Sequence, residues 1–139
     1  MVSRALVAMD GSEMAEEALR YALNVHPDAD ITAITVVGEP SPMMGGATAI
    51  ATAADPQSKA EEIAEPVLQR AKEIADEHDS EIDTDIGYGH PARTIINRAE
   101  NFDAVIIGGR GGVVADRLVV GNVADRVFKR SPAPVTVVR

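Results

Sequence analysis

Five short apolar or alternating runs, separated by stretches with helical spacing, constrain this chain more than any other feature. Ala5 to Met9 is a continuous apolar run that stops at Asp10-Gly11-Ser12, as a buried strand does before a capped helix. Ala15, Ala18, Leu19, Ala22 and Leu23 then recur three and four apart as far as about His26, which predicts an amphipathic helix. Ile31 to Val37 is a second strand. Gly38 to Gln57 holds three prolines and the pair Gly45-Gly46 and is a long connection of the kind that often serves function. Ser58 to Glu61 fits a capping box for a helix running to His78, with Pro66 expected to bend it. Ile82 to Gly87 alternates isoleucine and threonine with acids, the pattern of a strand half open to water at a sheet edge. Pro91 opens a helix to about Asn101, Ala104 to Ile107 is the most apolar strand, Gly121 begins a last helix to Arg130, and Val135 to Val138 is the final strand.

This β-α-β-α-β-α-β-α-β order predicts an α/β fold, with right-handed crossovers and a parallel sheet covered by helices on both faces. At 139 residues the chain is the size of one domain, spanning 1–139, that buries roughly 70% of the surface its unfolded form exposes. Its amino-terminal segment lacks the charged region and long apolar run of a leader. No segment approaches the ~18 apolar residues of a membrane span, so the expectation is a cytoplasmic protein with no membrane contact.

The absence of cysteine removes disulfide scaffolds, thiolate metal sites and cysteine nucleophiles. A net charge of -9 makes duplex nucleic acid a poor partner, and an aromatic content of 3% leaves little for stacking single strands. The acidity fits either a solvated acidic face or a halophilic protein of a salty cytoplasm. His26 and His78 fall near helix ends, His90 precedes Pro91, and no two have metal-ligand spacing; all three are read as structural. Neither a Gly-x-Ser-x-Gly elbow nor a lysine-bearing phosphate loop occurs.

The strongest local signal is Gly108-Gly109-Arg110-Gly111 followed after nine residues by Gly121-Asn122. Glycines let backbone N–H groups approach an anion, and the helix that begins there carries partial positive charge at its start. Between Gly108 and Ser131 five basic residues face two acids, a local excess of positive charge in an acidic chain, so this segment is read as a phosphate cradle. In open parallel sheets ligands sit beyond the carboxyl ends of the strands, where Asp10 and Gly108 both fall.

The chain resembles the universal stress protein family, from Ala5 to Val138. The resemblance rests on Val7-Ala-Met-Asp10-Gly-Ser-Glu, Gly87-Tyr-Gly-His-Pro-Ala92, Asp103-Ala-Val-Ile-Ile-Gly-Gly-Arg-Gly111, Gly121-Asn-Val-Ala-Asp125 and Pro132-Ala-Pro-Val-Thr-Val-Val138. Gly108, Gly111 and Gly121 match the Gly-x2-Gly-x9-Gly spacing of nucleotide-binding members. Asn122 stands where those members have Ser or Thr, and its amide can still donate to a phosphate.

The resemblance implies a Rossmann-like open sheet of order 3-2-1-4-5, akin to the adenine nucleotide alpha hydrolases. It implies ATP or a related adenine nucleotide, with Mg, as ligand. Ala8, Met9 and Asp10 would flank the adenosine, Asp10 on the ribose, and Val36 would touch the adenine. Ile107, Gly108, Arg110, Gly111, Gly121, Asn122 and Val123 would surround the phosphates. The expected role is regulatory, in stress response, with little or no turnover and no catalytic residue. A homodimer is expected through the apolar final strand, which needs pairing or protection, together with a regulatory protein partner.

Two alternatives carry different predictions. A family member that binds no nucleotide would act through protein contacts alone, with Asn122 as its mark. A phospho-accepting receiver would need an Asp after strand 3 and a Lys after strand 5, where this chain has Gly87 and Val138-Arg139.

Overall fold

The computed structural model describes residues 2–38, 56–109 and 121–139. The elements run β1 (Arg4–Ala8), α1 (Glu13–Val25), β2 (Asp30–Gly38), α2 (Pro56–Glu77), β3 (Asp83–Gly89), α3 (Pro91–Ala99), β4 (Ala104–Gly108), α4 (Gly121–Arg130) and β5 (Val135–Val138). All strands are parallel, in the order β3-β2-β1-β4-β5. That order excludes the receiver alternative, whose doubly wound sheet would place strand 3 next to strand 1.

The pleat sends alternate side chains into two apolar layers. Ala5, Val7, Ile31, Ala33, Val37 and Ile106 meet α1 and α2 on one face. Leu6, Ile34, Val105 and Ile107 meet α3 and α4 on the other. Burial on both faces is why the central strands read as continuous apolar runs. The half-polar run of residues 82–87 is, as expected, an edge strand, but β3 continues to Gly89 because β2 remains its partner as far as Gly38.

Local chemistry sets the helix boundaries. Ser12 caps α1, its Oγ accepting from the Ala15 N–H at 3.2 Å. The α2 helix begins at Pro56, two residues ahead of the expected cap at Ser58; a proline costs nothing in a first turn, where its missing N–H would have had no helical partner. Pro66 lies inside this one 22-residue helix. The α1 and α2 helices are joined by Arg70, which donates through Nε and Nη2 to Glu16 Oε1 at 3.3 and 3.2 Å.

At the amino end of the sheet Asp103, just before β4, accepts the backbone N–H groups of Ser3 and Arg4 at 3.0 and 2.9 Å. Arg4 in turn lies over the Phe102 ring, 4.9 Å from its centre. The two backbone donors hold the Asp103 carboxyl below its ordinary value of 3.8. A carboxylate depressed on folding contributes stability above that ordinary value and loses it as pH falls through the lower folded one. Asp103→Asn should therefore lower the melting temperature at pH 7, and the gap to the native chain should close on acidification below pH 3.8, as thermal unfolding across that range will show.

Candidate functional site

The crevice arises from unequal strand ends. Ala8, the last residue of β1, lies opposite Ile34, whereas β2 runs on through Val36 to Gly38. Met9 N–H donates to Ile34 C=O at 2.8 Å, so the backbone groups of Ile34 point toward β1. Those of Val36, two residues on, point the same way. No backbone group among the described residues meets the Val36 N–H or C=O on that side. One donor and one acceptor thus stand side by side above the end of β1.

At the foot of this step the chain turns. Asp10 is exposed, and its Oδ1 accepts from the Ser12 N–H at 2.8 Å, fixing a turn in which Gly11 takes a φ of 83° that favours glycine. The other carboxylate oxygen of Asp10 has no partner among the described residues. On the far side of β1, β4 ends at Gly108, and the Gly109 N–H donates to Val138 C=O at 2.7 Å. A Cβ on Gly108 would lie 2.8 Å from the backbone carbon and oxygen of Met14. The glycine is needed for the first turn of α1 to close against the end of β4, and this brings the Asp10 turn to the loop after β4.

Of the residues singled out in the sequence, Ala8, Val36, Ile107 and Val123 come together in the apolar layer beneath α3 and α4. Met9 turns the other way and is buried against α1 and α2. Asp10 and Gly108 stand between the two layers at the strand ends. Gly121 and Asn122 open α4, and their side chains lie outside the described residues, as do Arg110 and Gly111. At the opposite end of the sheet, Leu23, His26, Pro27, Ser80 and their neighbours line a cleft of about 220 Å³ that contains none of these residues.

One contact was not readable from the sequence. His90 caps α3, and Arg126 of α4 places Nη1 3.0 Å from its Nε2. The proline after His90 signals a helix start, but nothing in the chain pairs residues 90 and 126.

The model of the Universal stress protein family matches residues 1–139. The chain belongs to the universal stress protein family. A universal stress protein of Methanocaldococcus jannaschii is 31% identical over 143 residues, covering all of this chain and 83% of the relative. Among solved structures, the universal stress protein UspA of Lactobacillus plantarum is 26% identical with a TM-score of 0.73, covering 99% of this chain and 97% of that one. A universal stress protein solved in complex with cAMP has a TM-score of 0.74 at 20% identity, with coverage of 99% and 97%; a likeness at that identity speaks for the shared fold. Like these structures, this universal stress protein has the Rossmann-like α/β sheet.

The close fit at Gly108 makes a checkable demand. Gly108→Ala should destabilise the protein by about 1–3 kcal/mol, since backbone atoms cannot swing aside as a side-chain end can, and chemical denaturation will measure it.

Proposed function

We propose that this universal stress protein binds an adenine nucleotide at the carboxyl ends of β1, β2 and β4 and acts as a cytoplasmic, regulatory stress-response protein. The observation that carries the reading is the donor and acceptor of Val36 above the end of β1, which no backbone group of the described residues meets. A base edge offering one acceptor beside one donor, as adenine does, would satisfy both. The free oxygen of Asp10 below it suits a ribose hydroxyl, and Ala8, Ile107 and Val123 offer apolar surface nearby. The phosphates would lie toward Gly108 and the start of α4, whose first N–H groups favour anions, with Arg110, Gly111 and Asn122 completing the cradle. The neighbour solved with cAMP supports a ligand of this class. Among the described residues no three His, Asp or Glu side chains gather to hold a metal, so Mg²⁺ would travel on the phosphates.

Calorimetry should detect binding of both adenosine and ATP, with Asp10→Ala weakening adenosine by roughly tenfold, the equivalent of one hydrogen bond to a charged acceptor. Absence of binding by the native chain to either ligand would overturn the reading. Phosphate release should stay far below ordinary enzyme rates of about 1 per second, because the role proposed is occupancy rather than turnover.

The protein is proposed to pair with itself through β5. The C=O groups of Pro134 and Val138 accept from β4, so those of Val135 and Val137, with their N–H groups, face outward. A half-buried apolar edge with free donors and acceptors invites a twofold partner. No helix of the described residues is long and apolar enough to cross a membrane. Val137→Pro removes an outward donor while leaving the β4 ladder intact, and should convert a dimer into a monomer by sedimentation; a monomeric native protein, or a dimeric proline variant, would refute the interface.

A further inference from the structure

Four large hydrophobic side chains stand exposed among the described residues: Tyr21, Val25, Tyr88 and Phe128, of which Phe128 is the most open at 61%. A single exposed apolar residue is ordinary. Three of these four, however, lie beside one feature of the fold, the outer edge of β5, and they do so on both faces of the sheet. Tyr88 is on β3, at the far edge.

The helices that carry them fix these positions. On α4, Val123, Ala124 and Val127 face the sheet, and Arg126 marks the flank toward α3, because its guanidinium reaches the His90 cap of that helix. Phe128, two residues on, is turned about 200° from Arg126 by the helical pitch and so lies on the other flank. α3 packs on β2 and β3 while α4 packs on β5, so the flank away from α3 runs along the outer edge of β5. On the opposite face Glu16 marks the flank of α1 that Arg70 ties to α2. Tyr21 and Val25 lie about 140° and 180° around α1 from Glu16. α2 packs on β2 and β3, whereas α1 reaches across β1 and β4 to β5, so these two side chains are also on the flank nearest β5.

Between the two flanks β5 itself is apolar and half-buried, with Val135 and Val137 turned to the α4 layer and Val138 to the α1 layer. The strand alone is too small to hold two molecules together. It has four residues, whereas a stable interface buries about 800 Å² on each partner, and its hydrogen bonds to a second chain only replace bonds to water. A twofold axis normal to the sheet makes two β5 strands antiparallel and keeps each face on its own side, so the α4 flanks of the two copies face each other across one side of the seam and the α1 flanks across the other. We propose that Phe128, with Tyr21 and Val25 on the opposite face, anchors the self-association of this chain, the helix flanks closing over the β5 seam. The occupant is a second copy because the surface is divided between the two faces of a sheet edge, a shape that another sheet edge with its own flanking helices fits. The proposal rests on the pairing of β5 with β5.

Sedimentation of the full chain, native and substituted, is the test. Phe128→Gln, which keeps a good helix former at an exposed position, should weaken the dimer by about tenfold or more, since a buried aromatic anchor dominates an interface and a twofold axis uses it twice. Tyr21→Gln combined with Val25→Gln should weaken the dimer in the same sense. Tyr88→Thr, a comparable loss of exposed apolar surface at the far edge, should leave it at native strength. Circular dichroism will confirm that these variants remain folded. A dimer that Val137→Pro dissociates but that keeps its native strength in Phe128→Gln and in the Tyr21→Gln, Val25→Gln pair would leave the strand pairing standing and overturn the anchor. Equal weakening by Tyr88→Thr would mark general surface adhesion and overturn it as well. A dimer indifferent to Val137→Pro, or a native chain that sediments as a monomer, would refute the strand pairing and with it the seam over which the flanks close.

Discussion

The staggered ends of the parallel strands govern what this molecule can do. Because β1 stops opposite Ile34 while β2 and β3 continue together to Gly38 and Gly89, part of β2 is left with one face of its ladder unpaired. A parallel sheet normally buries such groups in the next strand. Here the chain leaves β1 at Met9, turns at Asp10 and starts α1, so the unpaired section of β2 faces a space bounded by a helix start and the end of β4. The register creates the crevice, and the side chains around it refine it.

The two outer strands show contrasting treatments of the same problem. β3 carries Asp83 and Asp85 on its short alternating run, and Asp85 is tied to Arg98 of α3 by a 2.8 Å ion pair. Charge at an edge discourages pairing with another chain. β5 is Val-Thr-Val-Val, with no charge within it, so the two edges differ in what they invite. The acidic balance of the chain is spread over α2 and β3, and among the described residues Arg20, Lys59, Arg70, Arg98 and Lys129 are the cations tied to acidic partners.

Much of this was legible in the sequence. The apolar runs ending in Asp10-Gly11 and Gly108-Gly109 located the carboxyl ends of β1 and β4, and the acid-interrupted run of 82–87 located an edge strand. Other features were not legible, for physical reasons. Gly108 reads as a phosphate glycine, yet its backbone also makes room for Met14 on a helix nearly a hundred residues earlier, a long-range approach that no local pattern encodes. The start of α2 at Pro56 was hidden because a proline reads equally as loop or as first turn. Met9, placed beside Asp10 by the chain, is turned into the opposite layer by the period-2 pleat. The pairing of His90 with Arg126 depends on the packing of α3 beside α4, which spacing along the chain cannot supply.

The account stands most directly on the open backbone of Val36, and an amide-resolved NMR titration with adenosine examines it without any substitution. Binding as described should move the Val36 amide resonance most among those of β2, together with the amides of Asp10 and Gly108, while the amides of His26 and Ser80 at the opposite end of the sheet stay still. Saturable binding that shifts the His26 and Ser80 amides and leaves Val36 unmoved would contradict it.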